Sequence, residues 1–376
     1  MSKILTTFLL ILTLSVGVVW AGDVEDADVA YTKKDYATAL KKYKLAAAKN
    51  NSYSQLQIGN IFHDGLGVKQ DYAEAVRWFK LAATQGNANA QFALGFCFSI
   101  GRGVVIDYIE AVHWYELAAA QGNVAAQFNL AKKFANGLGV AQDYKEAIRL
   151  YKLAANQGDA DSQFTLAAMY DLGKGVVQDY VEAIRFYKLA ATQGHATAQV
   201  YLAIMYARGK GVVQDYAEAE RWFRLAATQG DANAQLYLGG IYFKGQGVVQ
   251  DHAEAARWMK LSAAQGDAEA QFNLAGMYGE GSGVVQDYAE SLRWYKLSAA
   301  QGYPDAQYNL AAMYAVGRGV TQDYVRAHMW SNLASVGSEE NKKKRDAIAT
   351  KMTSQQIAEA QKLARECQAR NFKNCD

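Results

Sequence analysis

Seven pairs of carboxylates stand three residues apart in this chain: Asp71/Glu74, Asp107/Glu110, Asp143/Glu146, Asp179/Glu182, Asp215/Glu218, Asp251/Glu254 and Asp287/Glu290. Two carboxyl groups so placed could share acid–base work, one holding a proton while the other stays ionised. Two glycines flanking one residue precede each pair, as in Gly173-Lys174-Gly175. That arrangement occurs in loops that present backbone amides to phosphate. Five histidines (His63, His113, His195, His252, His328) and three cysteines (Cys97, Cys367, Cys375) add the usual metal-binding and nucleophilic types.

Spacing removes the chemistry from most of these residues. The aspartates recur at Asp35, Asp71, Asp107 and onward to Asp323, always 36 positions apart, and the glycine pairs keep the same step. A catalytic dyad is an exception within a chain, whereas these aspartates are a rule. Each reads as a helix N-cap, and the glutamate three residues on as the partner that reaches back to close a capping box. Asp323 departs, being followed by Arg326. A phosphate loop would continue to a third glycine or to Gly-Lys-Ser/Thr, and no copy does. The first glycine reads as a left-handed helix stop. The second reads as a chain reversal before a valine (Val68, Val104 and their equivalents) that plugs between paired helices.

The histidines occupy five different slots, none i, i+4 from another and none at ligand spacing from a cysteine, so no metal site is expected. Cys97 falls in a slot held elsewhere by Met169, Met205, Met277 and Met313, which predicts a small buried hydrophobe. Trp78, Trp114, Trp222, Trp258, Trp294 and Trp330 share one slot and read as packing residues. Asp64, Asp171 and Glu280 sit at variable slots with no catalytic partner in sight and read as solvated surface. No catalytic, cofactor-binding or metal-binding residue is assigned, and the chain is not read as an enzyme.

Each period divides into two helices. The first, as over residues 270–281, carries Ala270, Leu274, Met277 and Tyr278 along one stripe. The second, as over residues 71–86, sets Ala75, Trp78, Leu81 and Ala82 on one face and Glu74 with Arg77 opposite. A fixed period of this length without insertions means an array whose neighbours bury each other's apolar stripes. Lys and Arg total 39 against 37 for Asp and Glu, which gives no reason to expect nucleic acid. One proline in 376 residues suits a chain made of helices.

The pattern A-Q-x-x-L-x-x-M-Y-x-x-G-x-G-V-x-Q-D-Y-x-E-A-x-R-W-Y-K-L-A-A-x-Q-G resembles the Sel-one-like repeat (SLR), a longer-looped relative of the tetratricopeptide repeat. The resemblance runs from about Tyr53 to Gly337. It implies an all-α, right-handed α–α superhelical solenoid of about eight 36-residue helix-turn-helix repeats with terminal capping helices. The organisation expected is a leader over 1–21, a degenerate capping repeat over 22–52, eight repeats over 53–337, and capping helices with a tail over 338–376. The tail contains residues 352–371, where Thr353 and Gln356 suit a helix cap.

The resemblance also implies that first helices line a concave groove that binds a protein or peptide segment. Positions where copies diverge are then the recognition candidates: Asn129, Tyr201, Tyr237, Asn273 and Asn309 in one slot, Asp171 in a second, and Arg208, Lys244 and Glu280 in a third. An asparagine amide can read a peptide backbone through both donor and acceptor. Equally, these Asn and Tyr residues can cap or bridge neighbouring helices.

The N-terminus carries one lysine, an apolar run from Ile4 to Trp20 and the small-x-small triplet Val19-Trp20-Ala21, so cleavage is expected after Ala21. The mature protein is expected to be periplasmic or secreted, monomeric, and without a membrane span. Export would permit Cys367 and Cys375 to pair. The resulting expectation is an exported scaffold or adaptor without a cofactor, its partner an unidentified protein or peptide. The rival is an envelope enzyme, β-lactamase-like or acting on peptidoglycan. Cysteine-rich relatives suggest it, but they carry a cysteine pair per repeat, whereas only Cys97 lies in the repeats here. A structural spacer is the third reading.

Overall fold

The computed structural model describes residues 22–335 and 339–375; the expected cleavage site at Val19-Trp20-Ala21 lies outside the described residues. Among those residues there are twenty helices and no strand. The chain is the expected all-α solenoid of paired helices. It divides into two compact units, with the division between Phe186 and Tyr187.

The first unit contains α1 (residues 22–32), α2 (Tyr36–Ala47), α3 (Ser52–Asp64), α4 (Tyr72–Thr84), α5 (Ala88–Ile100), α6 (Tyr108–Ala120), α7 (Val124–Asn136), α8 (Tyr144–Asn156) and α9 (Ala160–Leu172). The division falls inside α10 (Tyr180–Thr192). The second unit continues with α11 (Ala196–Arg208), α12 (Tyr216–Thr228), α13 (Ala232–Lys244), α14 (His252–Ala264), α15 (Ala268–Glu280), α16 (Tyr288–Ala299), α17 (Pro304–Val316), α18 (Tyr324–Ala334), α19 (Glu339–Ala349) and α20 (Ser354–Ala369). Odd-numbered helices from α3 to α17 are the first of each repeat, even-numbered ones from α4 to α18 the second.

The second helices start where the aspartates cap them: Asp215 Oδ1 accepts from the N–H groups of Ala217 and Glu218 at 2.9 and 3.0 Å. The capping boxes expected of the following glutamates do not form. Each cap N–H is already committed to a carbonyl of the preceding first helix, as Asp215 N–H is to Tyr206 O at 3.0 Å. The glutamate turns instead to its own helix, where Glu254 accepts from Trp258 Nε1 at 2.7 Å and pairs with Arg257 at 2.6 Å. The reciprocal box does close at α20, between Thr353 and Gln356.

First helices are capped by the residue after the third glycine of each period. Asn87, Asn123, Asp159, Asp231 and Asp267 all accept an N–H three residues on. His195 does the same through Nδ1, 3.1 Å from the Ala198 nitrogen. Each first helix ends on a left-handed glycine such as Gly101 (φ 73°). The second glycine of the loop has a further reason. At Gly103 a Cβ would overlap the carbonyl oxygen of Tyr72, so this position is where successive repeats touch backbone to backbone.

The core repeats with the chain. Leu94, Leu166, Leu202, Leu238, Leu274 and Leu310 are fully buried in one slot, and Trp114, Trp222, Trp258, Trp294 and Trp330 are buried in another. Burying each such leucine stabilises by about 1.5–3 kcal/mol. Cys97 is buried as expected. In the same slot the next copy holds Lys133, only 6% exposed, its ammonium 4.0 Å from the Tyr108 ring centre and without an ion pair among the described residues. Burial holds the Lys133 ammonium below its ordinary value, with neighbouring Lys132 adding to the effect.

A line of glutamines ties the repeats together. Gln235 is 4% exposed; its Nε2 donates to Ala227 O at the end of the preceding second helix, at 3.1 Å. Its Oε1 accepts from Nε2 of Gln265, which closes the second helix of its own repeat, at 2.9 Å. The same bonds recur at Gln55 with Gln85, Gln91 with Gln121, Gln127 with Gln157, Gln199 with Gln229 and Gln271 with Gln301. At the C-terminal end α20 buries Ala360, Ala364 and Cys367 in the core that also holds Trp330. Cys367 and Cys375 are joined by a disulfide, and Phe372 in the enclosed loop lies over Gly302.

Three outcomes are expected in chemical denaturation. Gln235→Leu keeps most of the volume and removes both bonds, and should cost about 1–3 kcal/mol. Gly103→Ala should cost more than Gly122→Ala by about 1–3 kcal/mol, because only the first meets backbone while both need a left-handed φ. Lys133→Met should raise the melting temperature at neutral pH. Because the folded state disfavours the charged lysine, the wild type should recover part of that deficit as pH rises toward 10.5, the ordinary lysine value.

Candidate functional site

The second unit holds a cavity of about 580 Å³ on the face formed by its first helices. Helical periodicity aligns its floor. Glu269, Asn273, Gly276 and Glu280 recur at i, i+4, i+7 and i+11 along α15, one face of that helix. Tyr237, Gly240 and Lys244 occupy the matching slots on α13, and Asn309 on α17. Two helix-interior glycines in neighbouring copies make the floor low. A Cβ on Gly240 would meet nothing within 4 Å, and one on Gly276 only the Tyr295 hydroxyl at 3.6 Å.

Aromatic rings form the walls. Tyr237 stacks on Phe223 with centroids 5.0 Å apart, and Phe272 lies 5.8 Å from Tyr295 and 5.3 Å from Tyr303. A smaller cavity of about 320 Å³ shares Gly276, Glu280, Tyr295 and Asn309 and reaches Arg318. In the first unit the equivalent slots line a cavity of about 390 Å³ that includes Phe128, Lys132, Tyr151 and Lys174. The same architectural positions thus carry different chemistry in different copies.

Glu269, Glu280 and Lys244 are exposed, and none of them has an ion pair among the described residues. Asn309 Nδ2 donates to the Tyr295 hydroxyl at 3.0 Å. Burial raises the Tyr295 phenol, the Asn309 bond opposes this, and the Glu280 charge adds to the rise. Tyr303 is raised first by burial and next by the Glu269 charge, with the charges of Asp305 and Asp267 adding to it.

Five of the nine positions named from the sequence converge here: Tyr237, Lys244, Asn273, Glu280 and Asn309. Tyr201 lies one repeat earlier, half-exposed and stacked on Tyr187 at 5.5 Å, and Arg208 is exposed seven residues further along the same helix. Asn129 spends its amide on Ala125 O of its own helix, at 2.8 Å. Asp171 requires a correction, since it is only 9% exposed rather than solvated. Its slot faces the second helix of the pair: at the equivalent Gly279 a Cβ would stand 3.2 Å from Ser291 Oγ. Phe272, Tyr295 and Glu269 were not singled out from the sequence. The sequence signal that could have found them is glycine replacing bulk at Gly240 and Gly276.

The remaining reactive types are occupied structurally. Burial pushes the Cys97 thiol up to about 11, the opposite of an activated thiolate. His252 stacks on Phe243 at 4.8 Å, and His63 contacts Asp64 at 2.6 Å. No group of three His, Cys, Asp or Glu residues is placed to hold a metal ion among the described residues. No described helix is long and apolar enough to cross a membrane.

The profile of the Sel1 repeat family matches eight consecutive segments: 52–87, 88–123, 124–159, 160–195, 196–231, 232–267, 268–303 and 304–335. The chain is similar to the crystal structure of a protective antigen present in uropathogenic Escherichia coli strains, which displays an SLR fold. Identity there is 31%, covering 95% of this chain and 85% of that one, with a TM-score of 0.63. A Sel1 repeat protein from Oxalobacter formigenes is 37% identical over 64% of this chain and 99% of its own, with a TM-score of 0.58. No curated protein matches the chain. Eight unbroken copies, and a relative alike over almost the whole length, make this chain a member of the Sel1 repeat family.

Proposed function

We propose that this chain is an exported scaffold that captures a protein or peptide segment on the first-helix face of its repeats, by equilibrium binding without bond chemistry. Sel1 repeat proteins are in general protein-interaction scaffolds. The observation that carries the proposal is the contrast between slots. Gln, Leu and the loop glycines hold the joints and scarcely change, whereas the cavity slot runs Phe96, Lys132, Ala168, Ile204, Gly240, Gly276, Ala312. Packing does not decide those residues, so they are free to recognise something.

Export rests on the apolar run from Ile4 to Trp20 and the small residues before Gly22. The similarity to a protective antigen of uropathogenic Escherichia coli supports the same reading. In the bacterial envelope, or beyond it, such a scaffold would assemble a complex, adjust a sensor or contact a host factor.

Crosslinking of the full-length protein in its native compartment, with N-terminal sequencing of the mature form, tests this. The mature chain should begin at Gly22. One recurring partner should be recovered, and its yield should fall about tenfold when Tyr237 and Asn273 both become alanine in a folded variant. Undiminished recovery would remove the binding role from this face.

A further inference from the structure

We infer that the cavity between α13 and α15 takes an extended peptide bearing a bulky apolar side chain and, two or three residues away, a lysine or arginine. This rests on the reading of the first-helix face as a binding surface and specifies what that surface accepts.

The two glycines come first. Glycine inside a helix destabilises it relative to alanine. Packing explains Gly239, where a Cβ would stand 2.9 Å from Met259, but not Gly240, which faces open space, nor Gly276, where a Cβ would fit. Neighbouring copies fill the slot with Ile204 and Ala312. An unfilled, glycine-floored and aromatic-walled trough is the shape that receives a large apolar side chain.

The backbone reader stands in the middle. Asn273 lies half-buried between Glu269 and Gly276, and its amide has no hydrogen bond among the described residues. The equivalent amides of Asn129 and Asn309 are spent on Ala125 O and the Tyr295 hydroxyl. Asn273 therefore keeps both a donor and an acceptor for a passing peptide group. The step from Glu269 to Glu280 is about 16 Å along the helix, which an extended chain covers with about five residues.

Charge supplies the third element. At the Glu280 end Lys244 also lines the cavity, but at the other end Glu269 is the only charged residue among the described lining residues. Phe272 stands one helical turn along α15 from Glu269, its ring 5.3 Å from that of Tyr303. An exposed carboxylate with no ion pair among the described residues accepts a cationic side chain and repels an anionic one. Seven residues separate Glu269 from Gly276, about 10 Å along the helix, so the cation belongs two or three residues from the apolar anchor.

Displayed random heptapeptides selected on the full mature protein, and counter-selected on the Gly240→Leu/Gly276→Leu double variant, provide the test. Enriched sequences should pair Lys or Arg with Phe, Tyr, Trp or Leu at that spacing. In fluorescence anisotropy the enriched peptide should bind the double variant about tenfold more weakly. Glu269→Gln, at an exposed position that leaves folding intact, should weaken the basic peptide about fivefold and leave its norleucine counterpart unchanged. Absence of enrichment over the double variant, enrichment of acidic or uncharged sequences, or indifference to Glu269→Gln would each overturn the inference. A native partner lost on alanine substitution of Tyr237 and Asn273, yet unaffected by Glu269→Gln, would sink this specification and leave the scaffold reading standing.

Discussion

A buried glutamine that touches three helices at once holds the architecture together. Gln199 and its equivalents lie on a first helix, donate to the end of the second helix before it and accept from the residue closing the second helix after it. A polar side chain in an apolar joint is costly unless its groups are paired. Here donor and acceptor both find partners only when neighbouring helices stand at one separation and one register. Leucines and tryptophans supply most of the stabilisation, but apolar contacts tolerate sliding. The glutamines make each joint specific.

Once the joints are specified, other residues are released. The aspartate caps, the left-handed glycines and the close approach of Gly103 to Tyr72 all serve the joint, and all recur. Recognition is left to side chains on the first-helix face, where nothing in the joint depends on their identity. The cavity in the second unit and its counterpart in the first use equivalent slots, the slot of Gly276 in one holding Lys132 in the other and the slot of Gln246 holding Lys174. Local charge can therefore change from copy to copy while the helices stay put.

The paired helices, their boundaries and the cap aspartates were legible in the sequence because local rules of capping and left-handed glycine govern them. The role of the following glutamates was not. Whether Glu218 reaches back depends on whether the Asp215 N–H is free, and that group is taken by Tyr206 O, a bond that exists only after the two helices have packed. Divergence among copies placed five of its nine named positions in the cavity, yet it treats a solvated slot and a buried one alike, as Asp171 illustrates. The emptiness above Gly240 and Gly276 depends on which neighbours fail to fill a space, and no single chain position records it.

The sameness of the joints has a consequence for inheritance. Within each unit the repeats meet through recurring glutamine bonds and a recurring glycine contact, so excising or duplicating one whole 36-residue period joins surfaces that already match. Recombination that exchanges or duplicates whole periods would then yield foldable products of altered length. The lineage can vary how many recognition faces it carries without redesigning a single interface.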